Sequence, residues 1–388
     1  MTKKSDAPAI RFKGFSDAWE QRKLGDIASD IVAGGDIDKD LILAEGQYPV
    51  IANALTGDGI VGYYDKEYRV NAPAVTVTGR GDVGHAKTRL VNFTPVVRLL
   101  SVKSEHDVFF LENAINTLKI VIESTGVPQL TVPQLAKYEV AFPRQLDEEK
   151  HIGAFFKQLD HLITLHQRKF EKLTNVKKSM LEKMFPQNGS SYPEIRFKGF
   201  TDPWEQRKVG DLLIERNQQA PMSDEYPLMA FIANEGVASK GERYDRSALV
   251  TDTVNKLYKK TEKGDFIYSS NNLETGSIGL NKYGKACISP VYSIFEPTGI
   301  ADSDFLGRRL VRKDFINAMV KWRQGVIYGQ WRIHESDFLK IEITVPSVEE
   351  QRKIGTYLDQ LDHLITLHQR ELEKLQNIKK SMLEKMFV

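Results

Sequence analysis

Residues 10–27 read IRFKGFSDAWEQRKLGDI and residues 195–212 read IRFKGFTDPWEQRKVGDL, a repeat at a separation of 185 positions. Four of the 18 positions differ, and only the change from Ala18 to Pro203 alters the chemistry of the backbone. A repeat of this spacing with only two copies does not match the unit of a solenoid. The sequence therefore predicts a duplication of one larger architecture.

A second repeat is longer and lies at the other end of each half. Residues 152–185 return as residues 354–387, 202 positions later, and both copies contain the run LDHLITLHQR. The material between the repeats is 17 residues longer in the second half, and it is much less alike. Similar frames around different interiors indicate a common scaffold that presents two different recognition surfaces.

The second repeat is predicted to be helical. Asp147, ahead of two glutamates, and Ser347, three residues before Glu350, are typical N-cap residues, and the second pattern is a capping box. Apolar residues then recur every seven positions, which predicts a coiled-coil seam over about 50 Å at ~1.5 Å per residue. The predicted seam consists of Leu159, Leu162, His166, Leu173, Val176, Met180, Leu361, Leu364, His368, Leu375, Ile378 and Met382.

The order of the segments along the chain predicts how the two helices pair. The first helix leaves the first globule and reaches the second through the short linker PQNGSSYP, whereas the second helix ends the chain. Paired seams would then run antiparallel, with the globules at opposite ends and an approximate internal twofold axis. His166 and His368 would lie near that axis, either as a pH-responsive or metal site or as polar markers of the register.

The interiors of the two halves predict an α+β fold. Strand patterns at residues 96–102 and 265–270 alternate with helical patterns at residues 107–122 and 314–324. The loops carry arginine and asparagine, which can contact guanine and adenine, and lysine, which mostly contacts phosphate, although such residues are common on any protein surface. The candidate DNA-binding residues are Thr78, Arg80, His85, Lys87, Arg89, Lys240, Arg243, Tyr244, Arg246, Ser269, Asn271, Asn272, Lys282, Tyr283 and Lys285.

Two motifs look like nucleotide sites but favour turns between strands. Residues 79–84 fit GxGxxG, yet no helix pattern follows to hold a pyrophosphate at its N-terminus. Residues 279–286 come within one residue of a P-loop, but Ala286 stands where a hydroxyl is needed for magnesium. The sequence contains no pattern for nucleophilic, metal-assisted or methyl-transfer catalysis. We therefore predict a non-catalytic chain with no cofactor or metal of its own.

Composition narrows the class of protein and its location. The hydrophobic fraction of 41% is ordinary for a globular protein, and the net charge of +2 means that any DNA contact must come from local basic patches. A single cysteine, Cys287, fits a reducing cytoplasm. No run of about 18 apolar residues is present, so we expect no membrane span.

The framing segments resemble those of the specificity subunit of type I restriction–modification systems. The resemblance is carried by residues 195–211 and by the strand–proline–helix start VPSVEEQRKI at residues 345–354, and it extends over the whole chain in order. The first half departs slightly, because Glu149 and Lys150 stand where the second half has Gln351 and Arg352.

The resemblance implies that each globule is a target recognition domain that reads one half of a bipartite, asymmetric site in double-stranded DNA. It also implies that the helical rod sets the spacer and docks two modification subunits, which bring S-adenosylmethionine. Restriction subunits would bring ATP- and Mg²⁺-dependent translocation and cleavage. The alternatives are a protein–protein scaffold without DNA specificity and, less favoured, an enzyme whose active site lies between the globules.

The predicted domain organisation follows from the repeats and the resemblance together. Target recognition domains occupy residues 1–145 and 195–346, and each is followed by one coiled-coil helix. The boundaries of the remaining segments are 146–186 for the first helix, 187–194 for the linker and 347–388 for the second helix.

Overall fold

The computed structural model of the chain describes residues 7–121, 128–187, 189–239, 256–327 and 330–388. The chain divides into two compact units, a first unit of Met1–Lys169 with His368–Val388 and a second unit of Phe170–Leu367. Each unit therefore contains one end of each long helix. Within the described ranges, no helix is both long and apolar enough to cross a membrane.

The first half of the chain consists of short strands and short helices followed by one long helix. Two 3-10 turns, Lys39–Leu41 and Thr56–Gly59, connect some of the strands. The elements are β1 (Glu20–Lys23), α1 (Leu24–Ile27), β2 (Ala28–Ala33), β3 (Tyr48–Ile51), β4 (Ile60–Tyr64), β5 (Ala74–Thr78), β6 (Ala86–Arg89), β7 (Thr94–Pro95), β8 (Leu99–Ser104), α2 (Val108–Asn116), α3 (Val132–Leu135), β9 (Glu139–Phe142) and α4 (Leu146–Lys183).

The second half repeats this plan with more strands in its interior. The elements are β10 (Glu205–Lys208), α5 (Val209–Leu212), β11 (Leu213–Glu215), β12 (Gln219–Ala220), β13 (Ala230–Ile232), β14 (Gly236–Ala238), β15 (Tyr258–Thr261), β16 (Phe266–Tyr268), β17 (Ile278–Leu280), β18 (Ala286–Ile288), β19 (Ser293–Pro297), α6 (Ser303–Arg309), α7 (Lys313–Val320), β20 (Gln324–Ile327), β21 (Gln330–Arg332), α8 (Glu335–Phe338), β22 (Glu342–Val345) and α9 (Val348–Met386). The predicted mixture of helices and strands is confirmed.

Two antiparallel sheets are common to the two units, and the other sheets differ. The first is the two-stranded pair β1-β9 or β10-β22, and the second is a four-stranded sheet. The strand order is β2-β8-β5-β6 in the first unit and β11-β19-β16-β17 in the second, so the corresponding strands hold corresponding places. The first unit adds a mixed sheet, β4-β3-β7, whereas the second adds an antiparallel sheet, β12-β15-β18. The common sheets therefore provide the scaffold, and the added strands lie in the interiors whose sequences differ.

The long helices run antiparallel inside each unit. In the first unit, Lys379 of α9 pairs with Asp160 of α4 at 2.5 Å. In the second unit the equivalent pair forms with the helices reversed: the lysine, Lys177, is on α4 and the aspartate, Asp362, is on α9, also at 2.5 Å. Phe387, from the end of α9, packs in the first unit against Trp19.

The apolar stripe of the helices differs from the predicted seam at two positions. Leu162 and Leu364 were expected in the seam, but each leaves 40% of its surface exposed. Ile163 and Ile365, one position further on, are half-buried instead. The buried stripe alternates steps of three and four residues, and the step of four from Leu159 selects residue 163. The remaining predicted seam residues are buried or half-buried: Leu159, His166, Leu173, Val176, Met180, Leu361, His368, Leu375, Ile378 and Met382.

The starts of the two helices are held by a repeated ion pair. The Arg11 guanidinium donates two hydrogen bonds of 2.8 Å to the Glu148 carboxylate, and Arg196 makes the same contact with Glu350 at 2.7 and 2.8 Å. Each pair joins the first repeat to the start of the long helix that carries the second repeat. Because Glu350 is engaged by Arg196, the predicted capping box at Ser347 reduces to a contact from the Glu350 amide at 3.4 Å.

The predicted N-cap at Asp147 is wrong. The helix α4 begins one residue earlier, at Leu146, so Asp147 lies inside its first turn. Its backbone carbonyl lies 2.7 Å from Nδ1 of His151, four residues later. The acidic side chains of this turn remain near the positive end of the helix dipole, which was the other reason to expect a helix start here.

His166 and His368 meet in the first unit. Their Nδ1 atoms lie 3.2 Å apart and their rings form an edge-to-face contact. Burial lowers the pKa of His368, and the nearby charges of His166 and Lys169 lower it further. Within the described ranges, no group of three or more His, Cys, Asp or Glu side chains is arranged to hold a metal ion.

Candidate nucleic-acid interface

The first group of candidate residues lies on equivalent turns of the shared sheet. The β5–β6 turn of the first unit closes with a hydrogen bond from the Thr78 amide to the His85 carbonyl, and the β16–β17 turn of the second closes with one from the Ser269 amide to the Ser277 carbonyl. These turns connect corresponding strands. The structure thus places two sets of residues, chosen separately from the sequence, at the same position in the two units.

The β5–β6 turn is rigid at its base and presents charge at its tip. Thr78 is buried, and its hydroxyl donates to the Asp82 carbonyl and accepts from the His85 amide at 2.9 Å. Gly81 adopts a φ of 77°, which supports the predicted tight turn. Arg80 and His85 are exposed, so they are the candidates of this turn that solvent or a ligand can reach.

Lys87 and Arg89 follow on β6, and each contacts another segment of the first unit. The Arg89 guanidinium donates to the Thr76 hydroxyl at 3.0 Å and to the Asp58 carbonyl at 2.9 Å. Burial lowers the pKa of Arg89, although the charges of Asp58 and Glu112 oppose this. Lys87 lies 3.9 Å from the Asp58 carboxylate. Arg89 therefore acts mainly within the unit, while Lys87 stays exposed.

The β16–β17 turn presents amides in place of a guanidinium. Ser269 is buried, whereas Asn271 and Asn272 are exposed. The Asn272 carbonyl accepts from the Ser277 amide at 2.9 Å and from the Thr275 hydroxyl at 3.1 Å, which orders the turn from within. The other candidates on an interior loop of this half, Lys240, Arg243, Tyr244 and Arg246, lie outside the described residues.

Lys282, Tyr283 and Lys285 are not brought to this turn. They follow β17 and therefore lie at the end of that strand that is remote from Asn271. The Lys282 ammonium lies 3.2 Å from Asp359 of α9, and Lys285 contacts Glu225. The hydrogen bond and charge of Glu225 raise the pKa of Lys285. Tyr283 is exposed.

A cleft beside the β16–β17 turn contains residues that the sequence analysis missed. It has a volume of about 510 Å³ and is lined by Lys259, Asn271, Trp331 and Arg332, among others. The Ile333 amide donates to the Ser270 hydroxyl at 3.0 Å, which holds the segment ahead of α8 against the turn. An exposed tryptophan next to an arginine was the available signal, but that dipeptide alone is not specific.

The cleft is positively charged on balance. Lys259 is 7% exposed, whereas the Arg332 side chain is 67% exposed and lies 3.8 Å from Glu335. Burial alone would raise the pKa of Glu335, but a backbone hydrogen bond, a 2.8 Å hydrogen bond from Ser293 and the charges of Lys259 and Arg332 together lower it. Two cations and one carboxylate therefore face the cleft, which suits an anionic or hydrogen-bonding ligand.

The family model described as "Type I restriction modification DNA specificity domain" matches residues 16–175 and 201–377. Because these two ranges cover most of the chain, the protein belongs to this family. The resemblance noted in the framing segments is confirmed, and the two matches follow the two halves of the repeat.

Similar proteins are specificity subunits. The chain is 23% identical over 403 residues to the type I restriction enzyme MjaVIII specificity subunit of Methanocaldococcus jannaschii, covering 94% of this chain and 91% of that protein. It is 32% identical over 137 residues to the type I specificity subunit S.MpnORF507P of Mycoplasma pneumoniae, covering 34% of this chain and 37% of that protein. The chain thus matches less than half the length of the first two relatives.

A solved structure shares the fold over the whole chain. The S subunit of a type I restriction–modification system from M. genitalium aligns with a TM-score of 0.65 at 16% identity, covering 98% of this chain and 99% of that one. This likeness shows the fold over the whole chain, in agreement with the family match.

Proposed function

We propose that the protein chooses the DNA sequence on which a type I restriction–modification complex acts. Each unit reads one half of a bipartite, asymmetric site, and the paired helices set the unread spacer. The observation that carries this proposal is the pair of equivalent turns, which present Arg80 in one unit and Asn271 in the other. One scaffold with different side chains at one position suits the recognition of two unlike half-sites.

The proposal assigns the remaining candidates a supporting role. Exposed cations such as Lys87 suit contacts to phosphate, which position the protein without reading sequence. The buried hydroxyls of Thr78 and Ser269 would shape the turns rather than touch DNA. S-adenosylmethionine, ATP and Mg²⁺ would bind to partner chains in the cytoplasm.

We propose that two modification subunits dock on the middle of the helices. Leu162 and Leu165 of α4 are 40% and 37% exposed, and their equivalents in α9, Leu364 and Leu367, are 40% and 44% exposed. Exposed leucines at repeated positions favour two equivalent contacts. The double substitution Leu162→Ser with Leu165→Ser should weaken co-purification of the modification subunit while leaving the melting temperature within a few degrees.

The decisive experiment is a methylation map. The chain is combined with the modification subunit of its own system, and the methylated adenines are located in a library of random duplex sequences. We expect a split motif with two unlike halves and a fixed gap, and replacement of residues 28–145 by those of a relative should change one half only. A complex that methylates without sequence preference, or binds DNA no better than the chain alone, would favour the non-DNA scaffold.

A further inference from the structure

Two chain segments meet beside the equivalent turns of both units. In the first unit the Leu130 amide donates to the Gly79 carbonyl at 2.9 Å, and in the second the Ile333 amide donates to the Ser270 hydroxyl at 3.0 Å. Leu130 and Ile333 each stand two residues before a short helix, α3 or α8. The same junction of a turn and a pre-helix segment thus exists twice.

The side chains next to this junction form a matched set. In the first unit, Arg80 follows Gly79 on the turn and Gln129 precedes Leu130 on the segment. In the second unit, Asn271 follows Ser270 and Arg332 precedes Ile333, and both line the same cleft. Each junction therefore carries one guanidinium and one carboxamide. The two groups exchange places between the units: the guanidinium is on the turn in the first unit and on the segment in the second.

These four side chains are available to a ligand. Arg80, Asn271 and Arg332 are exposed, and Gln129 is half-exposed. Among the described residues, the one side-chain ion pair in the set is the 3.8 Å contact between Arg332 and Glu335. Exposed groups with several donors and acceptors at a repeated, structurally ordered position suit the recognition of another molecule's hydrogen-bonding pattern.

We propose that Arg80 with Gln129, and Asn271 with Arg332, are the base-reading couples of the two units. This inference rests on the proposed function and names the groups that carry it out. A guanidinium donates two parallel hydrogen bonds to O6 and N7 of guanine, and a carboxamide both donates to and accepts from adenine at N6 and N7. The turn and the segment hold equivalent places in the two units. We therefore expect the turn to contact guanine and the segment adenine in the first half-site, and the reverse in the second.

The test uses the full chain with its modification subunits and a random duplex library. Four single variants, Arg80→Ala, Gln129→Ala, Asn271→Ala and Arg332→Ala, are compared with the native complex for the base preference at every position of the methylated motif. Each variant should lower the preference at one base pair by about tenfold or more, in the half-site of its own unit only. The other half-site and the gap serve as internal controls.

Lys263→Ala is the matched control. This exposed lysine precedes β16, at the end of the strand remote from Asn271, and should leave the motif unchanged. Variants that lose methylation equally on all sequences would make these residues phosphate contacts and overturn the inference. Four variants with the native motif and native preferences would overturn it too, while the proposed function would stand. If the native complex methylated DNA without sequence preference, both this inference and the proposed function would be wrong.

Discussion

Substitution of Arg196 by methionine should destabilise the second unit strongly. The Glu350 carboxylate is 1% exposed, and its partner Arg196 is 15% exposed and donates to both carboxylate oxygens. The hydrogen bond to Glu350, partly offset by burial, raises the pKa of Arg196. Methionine keeps much of the aliphatic packing of arginine, so the main change is a buried carboxylate without its cation.

The expected loss follows from this burial. Breaking a buried ion pair by removing one partner costs about 3–5 kcal/mol, and the residual exposure of Arg196 favours the lower end, about 3 kcal/mol. In a unit of roughly 200 residues each kcal/mol corresponds to about 2–4 °C, so the melting temperature should fall by about 6–12 °C. The double variant Arg196→Met with Glu350→Leu should recover part of the loss, because no unpaired charge remains.

Calorimetry of the full chain measures the melting temperature of each variant directly. The surface pair of Arg207 with Glu205 supplies the control, since it has a similar distance of 2.6 Å but side chains that are 40% and 67% exposed. Arg207→Ala should cost less than about 1 kcal/mol. If Arg196→Met cost no more than Arg207→Ala, or if the double variant were less stable than the single one, the buried pair would not be what joins the first repeat to the start of α9.

Two further predictions concern the first unit. Gly153→Ala would place a Cβ 2.0 Å from Oδ1 of Asp107, the side chain that caps α2. Denaturant unfolding should therefore show a loss of about 2 kcal/mol or more in the free energy of unfolding. The control Gly299→Ala has open space around it and should be close to neutral. Burial lowers the pKa of His368, so the folded chain binds a proton less readily than the unfolded chain. The stability that neutral His368 contributes is therefore present above its ordinary pKa of about 6.5. That stability is lost as the pH falls below this value. Unfolding between about pH 7.5 and pH 5.5 should show a smaller pH dependence in His368→Leu, and an unchanged slope would contradict the lowered pKa of His368.

The helices were predictable because their pattern is long and periodic. The position of the seam was not, since Leu162 and Ile163 are both apolar and lie on adjacent stripes of one helix. Which stripe is buried depends on the helix that packs against it. Packing also explains the N-cap error at Asp147, because the start of a helix depends on local packing as much as on residue type. Ser347 makes the expected capping contact, whereas α4 begins one residue before Asp147.

The candidate interface was predictable in part. Arg and Asn at turns between strand patterns pointed to Arg80 and Asn271, which lie at equivalent turns. Trp331 and Arg332 were missed because they are distant in sequence from the turn that they accompany. Arg89 has the right chemistry but is engaged by Thr76 and Asp58, a commitment that only the packing reveals.

The sequence by itself determined the duplication, the two long helices and the family, because these depend on local patterns that recur at fixed separations. The tertiary structure alone decided how the repeats are shared between units. Phe387 packs on Trp19 and Phe185 packs on Trp204, so each unit completes its core with the helix end from the other half. These contacts join residues that are far apart in the chain. The hydrophobic effect requires that each tryptophan be buried, but it does not specify which copy of the repeated helix end buries it.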